Sequence, residues 1–434
     1  MVKDLSLSEI SSLEDWLAHL ESLHPKGQAG IELGLDRVAH VKARLGQAQH
    51  CPVFIVGGTN GKGSTCAYLE QILSCSGYRT GCYTSPHLLA YNERVRLDRL
   101  PIDDGRLCEA FARVEAARLA AGGVALTYFE FGTLAAWEVF AAAGVEAIIL
   151  EVGLGGRLDA VNVYEPDVSV VTGIALDHTD WLGPDRESIG REKAGIFRAG
   201  KPAICADAHP PQSLLEHAAV IGADLQVLGR DFGYFGDKTQ WTFWGRNQLR
   251  RGGLANPGLR GSQQLANAAA ALATLDAAKH LLPVDMQSIR RGLIEIELPG
   301  RFQLVPGKPA IVLDVAHNPQ AVGVLAGNLG DTGFFEKTHA VVGMLGDKDI
   351  AGALGALKGR ITHWYCASID APRGAPAETL AAVARTLGGA VDCFDDVAGA
   401  FAAARNAAGE NDRILAFGSF YTVAAAMRAL KERR

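Results

Sequence analysis

The stretch FIVGGTNGKGSTCAYLE, residues 54–70, constrains the fold more than any other part of the chain. An apolar β-run leads into a glycine-rich turn with a lysine, and a helical pattern follows. That arrangement aims several backbone N–H groups along a helix N-terminus, which makes an anion site by geometry and dipole. The usual phosphate loop has a glycine, four residues, then Gly-Lys-Ser/Thr. Here Val56 stands where the first glycine belongs, and Gly63, not a hydroxyl residue, follows Lys62. Ser64 and Thr65 bring hydroxyls one and two places late. The competing reading is a glycine-rich turn with an accidental surface lysine. The run Thr59, Asn60, Gly61, Lys62, Gly63, Ser64 directly after a β-run favours the nucleotide site, with Lys62 placed for β- and γ-phosphates.

Around this loop, short Val- and Ile-rich runs alternate with Ala-rich helical patterns. PVFIVGG, EAIILEVG, DVSVVTGIA and KPAICA carry few polar positions, as strands of a parallel sheet covered on both faces do. Residues 224–261 alternate polar and aromatic side chains and predict small β-hairpins. A turn at LPGRF separates a second β/α series: AIVLDVAH, HAVVGML, ITHWYCAS, VDCFDD and RILAFGSF, each followed by a helical pattern. The expectation is an α/β protein. Residues 1–297 form a phosphate-loop ATPase domain, its mostly parallel sheet flanked by helices with small β insertions. Residues 298–434 form a smaller Rossmann-like α/β domain.

A net charge of −6 argues against a general nucleic-acid or membrane-surface binder. No apolar run approaches the ~20 residues of a membrane span. The start, MVKDLSLSEISSLEDWL, has acidic residues and no apolar h-region, so it reads as an amphipathic helix and not a signal peptide. Eight cysteines are scattered without a C-x-x-C pair, which argues for reduced thiols in a cytoplasmic enzyme over a zinc or disulfide framework.

The departure from the usual loop is itself informative. GTNGKGS resembles the phosphate loop of the Mur-ligase superfamily of ATP-dependent amide-forming ligases. Within it, the chain resembles the folylpolyglutamate synthase and dihydrofolate synthase branch. The resemblance continues in order through IELGLDRV, SPHLLAYNERVRLD, TYFEFGTLAAW, EVGLGGRLDAVN, ALDHTDWLG, REKAGIF, LPGRFQ, DVAHNP and GSFYT. TYFEFGT and the LGL loop are similar to the bifunctional bacterial branch, which makes dihydrofolate and extends its glutamate tail. The resemblance implies ATP and two Mg²⁺ ions. Its substrates are dihydropteroate, reduced folates and L-glutamate; a monomer with no nucleic-acid or membrane partner is the expectation, though the sequence does not give the oligomeric state. A peptidoglycan-precursor ligase is disfavoured by the short length and the TYFEF and LGL segments. A GTPase switch is disfavoured because no N-K-x-D motif is present.

Residue by residue, the resemblance implies Ser85 and Glu151 for one Mg²⁺ and His178 for a second, supported by Lys193 as a carbamate. Taken alone, His178 reads as readily as a structural histidine, and Lys193 as a helix-surface lysine. With the loop, ATP takes Asn267, Arg301 and Asp314, in a site expected between the two domains. Dihydropteroate takes Glu32, Leu33, Gly34, Leu35, Thr127, Tyr128, Phe129, Glu130, Leu158, Asp159 and Ala160, whose aromatics can stack on a flat pterin. Phe131 is expected in the core. Arg94, His317 and Ser419 are the candidates for the incoming glutamate.

Overall fold

Strand Val53–Gly57 (β1) is buried along its whole length, so it needs a strand on each edge and cover on both faces. The structure, a computed structural model, describes residues 11–25, 27, 30–237 and 239–431. It supplies the edge partners, β5 and β6, in an eight-stranded sheet ordered β4-β3-β2-β5-β1-β6-β7-β8. Its other strands are Thr80–Tyr83 (β2), Val95–Leu97 (β3), Leu100–Pro101 (β4), Ala147–Glu151 (β5), Val168–Val171 (β6), Pro202–Cys205 (β7) and Asp224–Val227 (β8). Strands β2, β5, β1, β6, β7 and β8 run parallel, and β3 and β4 return antiparallel at one edge. Segment 224–261 contributes β8 and then a three-stranded antiparallel sheet, Gly233–Gly236 (β9), Gln240–Trp244 (β10) and Arg250–Ala255 (β11).

A second series holds Gln303–Val305 (β12), Ala310–Asp314 (β13), Thr338–Val342 (β14), His363–Ala367 (β15), Ala390–Phe394 (β16) and Arg413–Phe417 (β17). The sheet order is β12-β13-β17-β14-β15-β16, parallel except for β12. All five β-runs expected after LPGRF are strands, each followed by a helix, and the expected α/β class is the one observed. The chain divides into two compact units. The first comprises residues through 174, 182–256 and 266–296; the second comprises 175–181, 257–265 and 297 onward. The helix expected at the chain start is described only from Leu13–Ser22, and residues 1–10 lie outside the described residues. Among the described residues no helix is long and apolar enough to cross a membrane.

Local chemistry sets the elements that matter for the site. Helix Tyr128–Ala143 starts at a capping box, Thr127 with Glu130, and stops at Gly144 in the left-handed region. Helix Lys62–Cys75 is buried on nearly every side, as suits an element lying against the centre of a sheet. Its loop is threaded against β6: the Thr59 amide donates to Gly173 O at 2.8 Å, and Thr172 Oγ1 donates to Asn60 O at 2.8 Å. Gly58, at φ +136°, lies so close that a Cβ there would fall on Thr172 Oγ1. Gly58→Ala therefore meets both a clash and a forbidden backbone region, and should destabilise the protein by about 1–3 kcal/mol. Thermal unfolding checks this, and an unchanged Tm would show that the loop is not held as described.

Candidate active site

Three adjacent parallel strands end together. Val56 of β1 pairs with Glu151 of β5, and Tyr83 of β2 pairs with Leu150 of β5. Open parallel sheets bind ligands just beyond such C-terminal ends. The sequence uses all three: the phosphate loop follows β1, Glu151 ends β5, and Ser85 follows β2. The Ser85 amide donates to Glu151 Oε2 at 3.0 Å, so the two residues are neighbours at the strand ends. Glu151 is only 5% exposed. Two hard oxygen donors at a strand edge fit Mg²⁺. Lys62 folds over its own loop, its ammonium donating to Gly58 O at 3.2 Å and Thr59 O at 3.3 Å. Both acceptors are neutral carbonyls, weaker partners than a phosphate oxygen. Asn267 is buried against Gly61, where φ is +94° and a Cβ would overlap the Asn267 amide oxygen.

The three segments expected to hold dihydropteroate converge in the same unit. The Gly34 amide donates to Leu158 O at 3.2 Å. The rings of Tyr128 and Tyr91 meet edge to face at 5.6 Å, and Phe129 lies 5.7 Å from Tyr83. Phe131 is fully buried in the core, as expected. Asp159 accepts the Leu154 amide at 2.8 Å and the Val161 amide at 3.1 Å, so each oxygen already carries one bond. Glu130 likewise accepts the Thr127 amide at 2.8 Å and faces Arg37 at 3.0 Å. Arg94 stacks over Tyr91 and Tyr128, with centroid distances of 5.2 and 5.5 Å, and its Nε reaches His87 Nδ1 at 2.9 Å.

Lys193 is 3% exposed, which excludes the surface-lysine alternative. Its helix, Arg186–Ala194, packs so tightly on the turn after β5 that a Cβ on Gly156 would meet Glu192 O at 2.9 Å. Arg157 pins the same contact, its amide donating to Glu192 O at 2.8 Å and its guanidinium to the Glu192 carboxylate at 2.8 Å.

In the second unit, His178 adopts φ +52° beside Asp177. Three residues that the sequence reading missed, Asp177, Lys348 and Asn318, complete this group. Lys348 donates to Asp177 Oδ1 at 2.7 Å and lies 3.2 Å from His178 Nε2. Asp177 also takes Asn318 Nδ2 at 3.2 Å and pairs with His317 Nε2 at 3.5 Å. Burial alone would raise the Asp177 carboxyl, but the His317 hydrogen bond and the charges of His178, Lys348 and His317 hold it far below the usual carboxylate range. The signals were faint: an acid next to His178, and a lysine in GDKD after β14. Asp314 ends β13 and accepts the Phe302 amide at 3.0 Å and the Ala316 amide at 2.8 Å; burial raises its carboxyl. Arg301 lies over Phe420 at 5.0 Å. Ser419 Oγ accepts the Thr422 amide at 3.0 Å at the start of the last helix, so a helix-capping role already engages it.

Asp159 yields a pH signature. Burial raises its carboxyl to about 7, against the pull of the Leu154, Val161 and Gly153 amides and the Lys62 charge. The folded state thus keeps a proton that the unfolded state releases near pH 4. Its contribution favours folding at low pH and is lost as pH rises from about 4 through about 7. Carboxyl ¹³C NMR should show a midpoint near 7 for Asp159, and Asp159→Asn should remove that share of the slope; a midpoint below about 5 would contradict the burial argument.

Comparison with known proteins agrees with this geometry. The Mur ligase, glutamate ligase domain family matches residues 300–420. The dihydrofolate synthase/folylpolyglutamate synthase of Escherichia coli K12 is 48% identical, covering 98% of this chain and 97% of that protein. The Haemophilus influenzae protein of the same name is 38% identical, covering 98% of each. The structure of E. coli FolC with DHPP and ADP superposes with a TM-score of 0.92 at 47% identity, over 98% of this chain and 99% of that one. A bifunctional folylpolyglutamate synthase/dihydrofolate synthase with Mn, AMPPNP and L-glutamate bound superposes with a TM-score of 0.89 at 46% identity, over 97% of this chain and 98% of that one. At 48% and 38% identity along nearly the whole of both proteins, and with the glutamate ligase domain matched at residues 300–420, the chain belongs to the bifunctional dihydrofolate synthase/folylpolyglutamate synthase family of the Mur ligases.

Proposed function

We propose that this enzyme joins the amine of L-glutamate to the carboxylate of dihydropteroate, giving dihydrofolate, and to the glutamate tail of reduced folates. ATP is the phosphoryl donor and leaves as ADP and phosphate. One observation carries the reading: β5 pairs with β1 at Val56–Glu151 and runs into a turn where a Cβ on Gly153 would meet the Phe129 ring at 2.8 Å and the Leu154 amide donates to Asp159 at 2.8 Å, so the strand ends behind the phosphate loop adjoin the pterin segments. Dihydropteroate held at residues 32–35, 127–130 and 158–160 then has its carboxylate beside the triphosphate.

A carboxylate oxygen takes the γ-phosphoryl group, giving an acyl phosphate and ADP. The glutamate amine attacks the acyl carbon, the C–O bond to phosphate breaks, and the amine loses its proton. The protein's share is positioning and charge stabilisation. Lys62 swings from its loop carbonyls to the β- and γ-phosphates, and the loop amides bind phosphate oxygens. Ser85 and Glu151 would hold a divalent cation, Mg²⁺, which when bound would offset the charge of the triphosphate. Asn267, Arg301 and Asp314 are read as further ligands of the nucleotide. Arg94, His317 and Ser419 remain candidates for glutamate, and Lys348 joins them as a buried cation near His317.

Residues 1–297 are read as the ATP- and pterin-binding domain and 298–434 as the glutamate-ligase domain, a reading supported by the family match to 300–420. We read the enzyme as a cytoplasmic monomer acting on small molecules, without nucleic-acid or membrane partners.

Two tests address the chemistry. ATP hydrolysis should require both an acceptor folate and glutamate, and Lys62→Ala should lower kcat/KM of both ligations by about 10²–10⁴ with the fold intact. A loss under tenfold would remove Lys62 from the phosphate site. Lys193 is read as a carbamate, which turns a buried cation into an oxygen acceptor. ¹³C-bicarbonate labelling should give a carbamate signal that Lys193→Ala abolishes. A bare amine in the active, metal-loaded enzyme would reject this.

A further inference from the structure

We infer that Arg37 is a specificity-determining positioning residue: its guanidinium clamps the 32–35 loop to the start of helix Tyr128–Ala143 and thereby shapes the pocket for dihydropteroate. The inference rests on the dihydropteroate reading above. Arg37 sits in the first turn of helix Asp36–Leu45, directly after the loop. One branch donates to Glu32 Oε1 at 2.6 Å. The other donates both to Glu32 O at 2.9 Å and to Glu130 Oε1 at 3.0 Å, and Nε adds Glu130 Oε2 at 3.4 Å. One planar group thus fixes the side chain and the backbone of the loop and the carboxylate of the helix entry at once.

The partners are not interchangeable. Glu130 has a side chain only 4% exposed, and one of its oxygens already caps its own helix through the Thr127 amide. Without Arg37 that buried carboxylate would lose its cation, and such a pairing is worth more in the interior than at the surface. Glu32 is held from its other side by His24 Nε2 at 3.0 Å. The Gly34–Leu158 hydrogen bond then ties the loop to the third pterin segment. Glu32 and Glu130 belong to neither the phosphate loop nor the Ser85–Glu151 pair. Loosening the clamp should therefore weaken dihydropteroate binding and leave phosphoryl transfer alone. A lysine would keep the charge and lose the fork that reaches both carboxylates together.

The test is steady-state kinetics of Arg37→Met and Arg37→Lys with dihydropteroate and with tetrahydrofolate as separate acceptors, alongside Tm. Arg37→Met should raise the dihydropteroate KM by about tenfold or more, consistent with loss of charge-assisted bonds. Both kcat values and the tetrahydrofolate and ATP KM values should stay within about twofold, and Arg37→Lys should recover less than half of the loss. Equal losses in both reactions with a lowered Tm would mean a merely structural role and overturn the inference, as would an unchanged dihydropteroate KM. Tyr128→Ala separates the two levels. If it raises the dihydropteroate KM while Arg37→Met does not, the clamp alone fails. If neither does, the pocket reading fails and the clamp with it.

Discussion

The site depends on how closely the loop after β1 is pressed against its neighbours. Gly58 lies on Thr172, and Gly61 lies on Asn267, with no room for a Cβ at either. Those contacts turn the loop so that its amides line a helix N-terminus. They also fix the ends of β1, β5 and β6 relative to one another, because Thr172 follows β6 and the Val152 amide continues the ladder to Val56 O at 2.9 Å. Ser85 and Glu151 acquire their places from the same strand ends. A conventional phosphate loop would put its first glycine at residue 56, inside the strand; here the two tight approaches fall later, and the hydroxyls shift with them.

Charge is arranged differently in the two units. In the first, the acidic groups near the candidate site are spoken for by the protein. Glu130 has Arg37 and a helix amide, Asp159 has two amides, and Glu151 has the Ser85 amide. Such groups cost little reorganisation when substrate charge arrives, since their partners are fixed beforehand. In the second, Asp177 gathers Lys348, His317 and Asn318 about one buried carboxylate. Removing Asp177 would leave Lys348, itself 7% exposed, as a buried cation without that counter-charge.

Much of this was legible in the sequence because it is local. Apolar runs marked the strands, the glycine run marked the loop, and the residues following each strand marked the candidate ligands. The TYFEF segment mixed a core residue, Phe131, with Tyr128 and Phe129, and burial does not part them cleanly: Tyr128 lies in the same apolar cluster as Phe131, and only Phe129 is partly exposed. What sequence did not disclose is what closes through space. Arg37 meets Glu130 across 93 residues, and Lys348 meets Asp177 across 171, and no periodicity or spacing encodes such pairings. The burial of Lys193 was hidden for the same reason: REKAGIF reads as a charged helix face, and only the packing of Gly156 against it shows that the lysine points inward.

The central claim is that a folate carboxylate is activated by phosphoryl transfer at the strand ends before the amine attacks. Dihydropteroate labelled with ¹⁸O in its carboxylate tests this directly, with the released phosphate analysed by mass spectrometry. The account predicts that one ¹⁸O atom passes into inorganic phosphate for each amide bond formed. Phosphate that carries no label while dihydrofolate accumulates would contradict it.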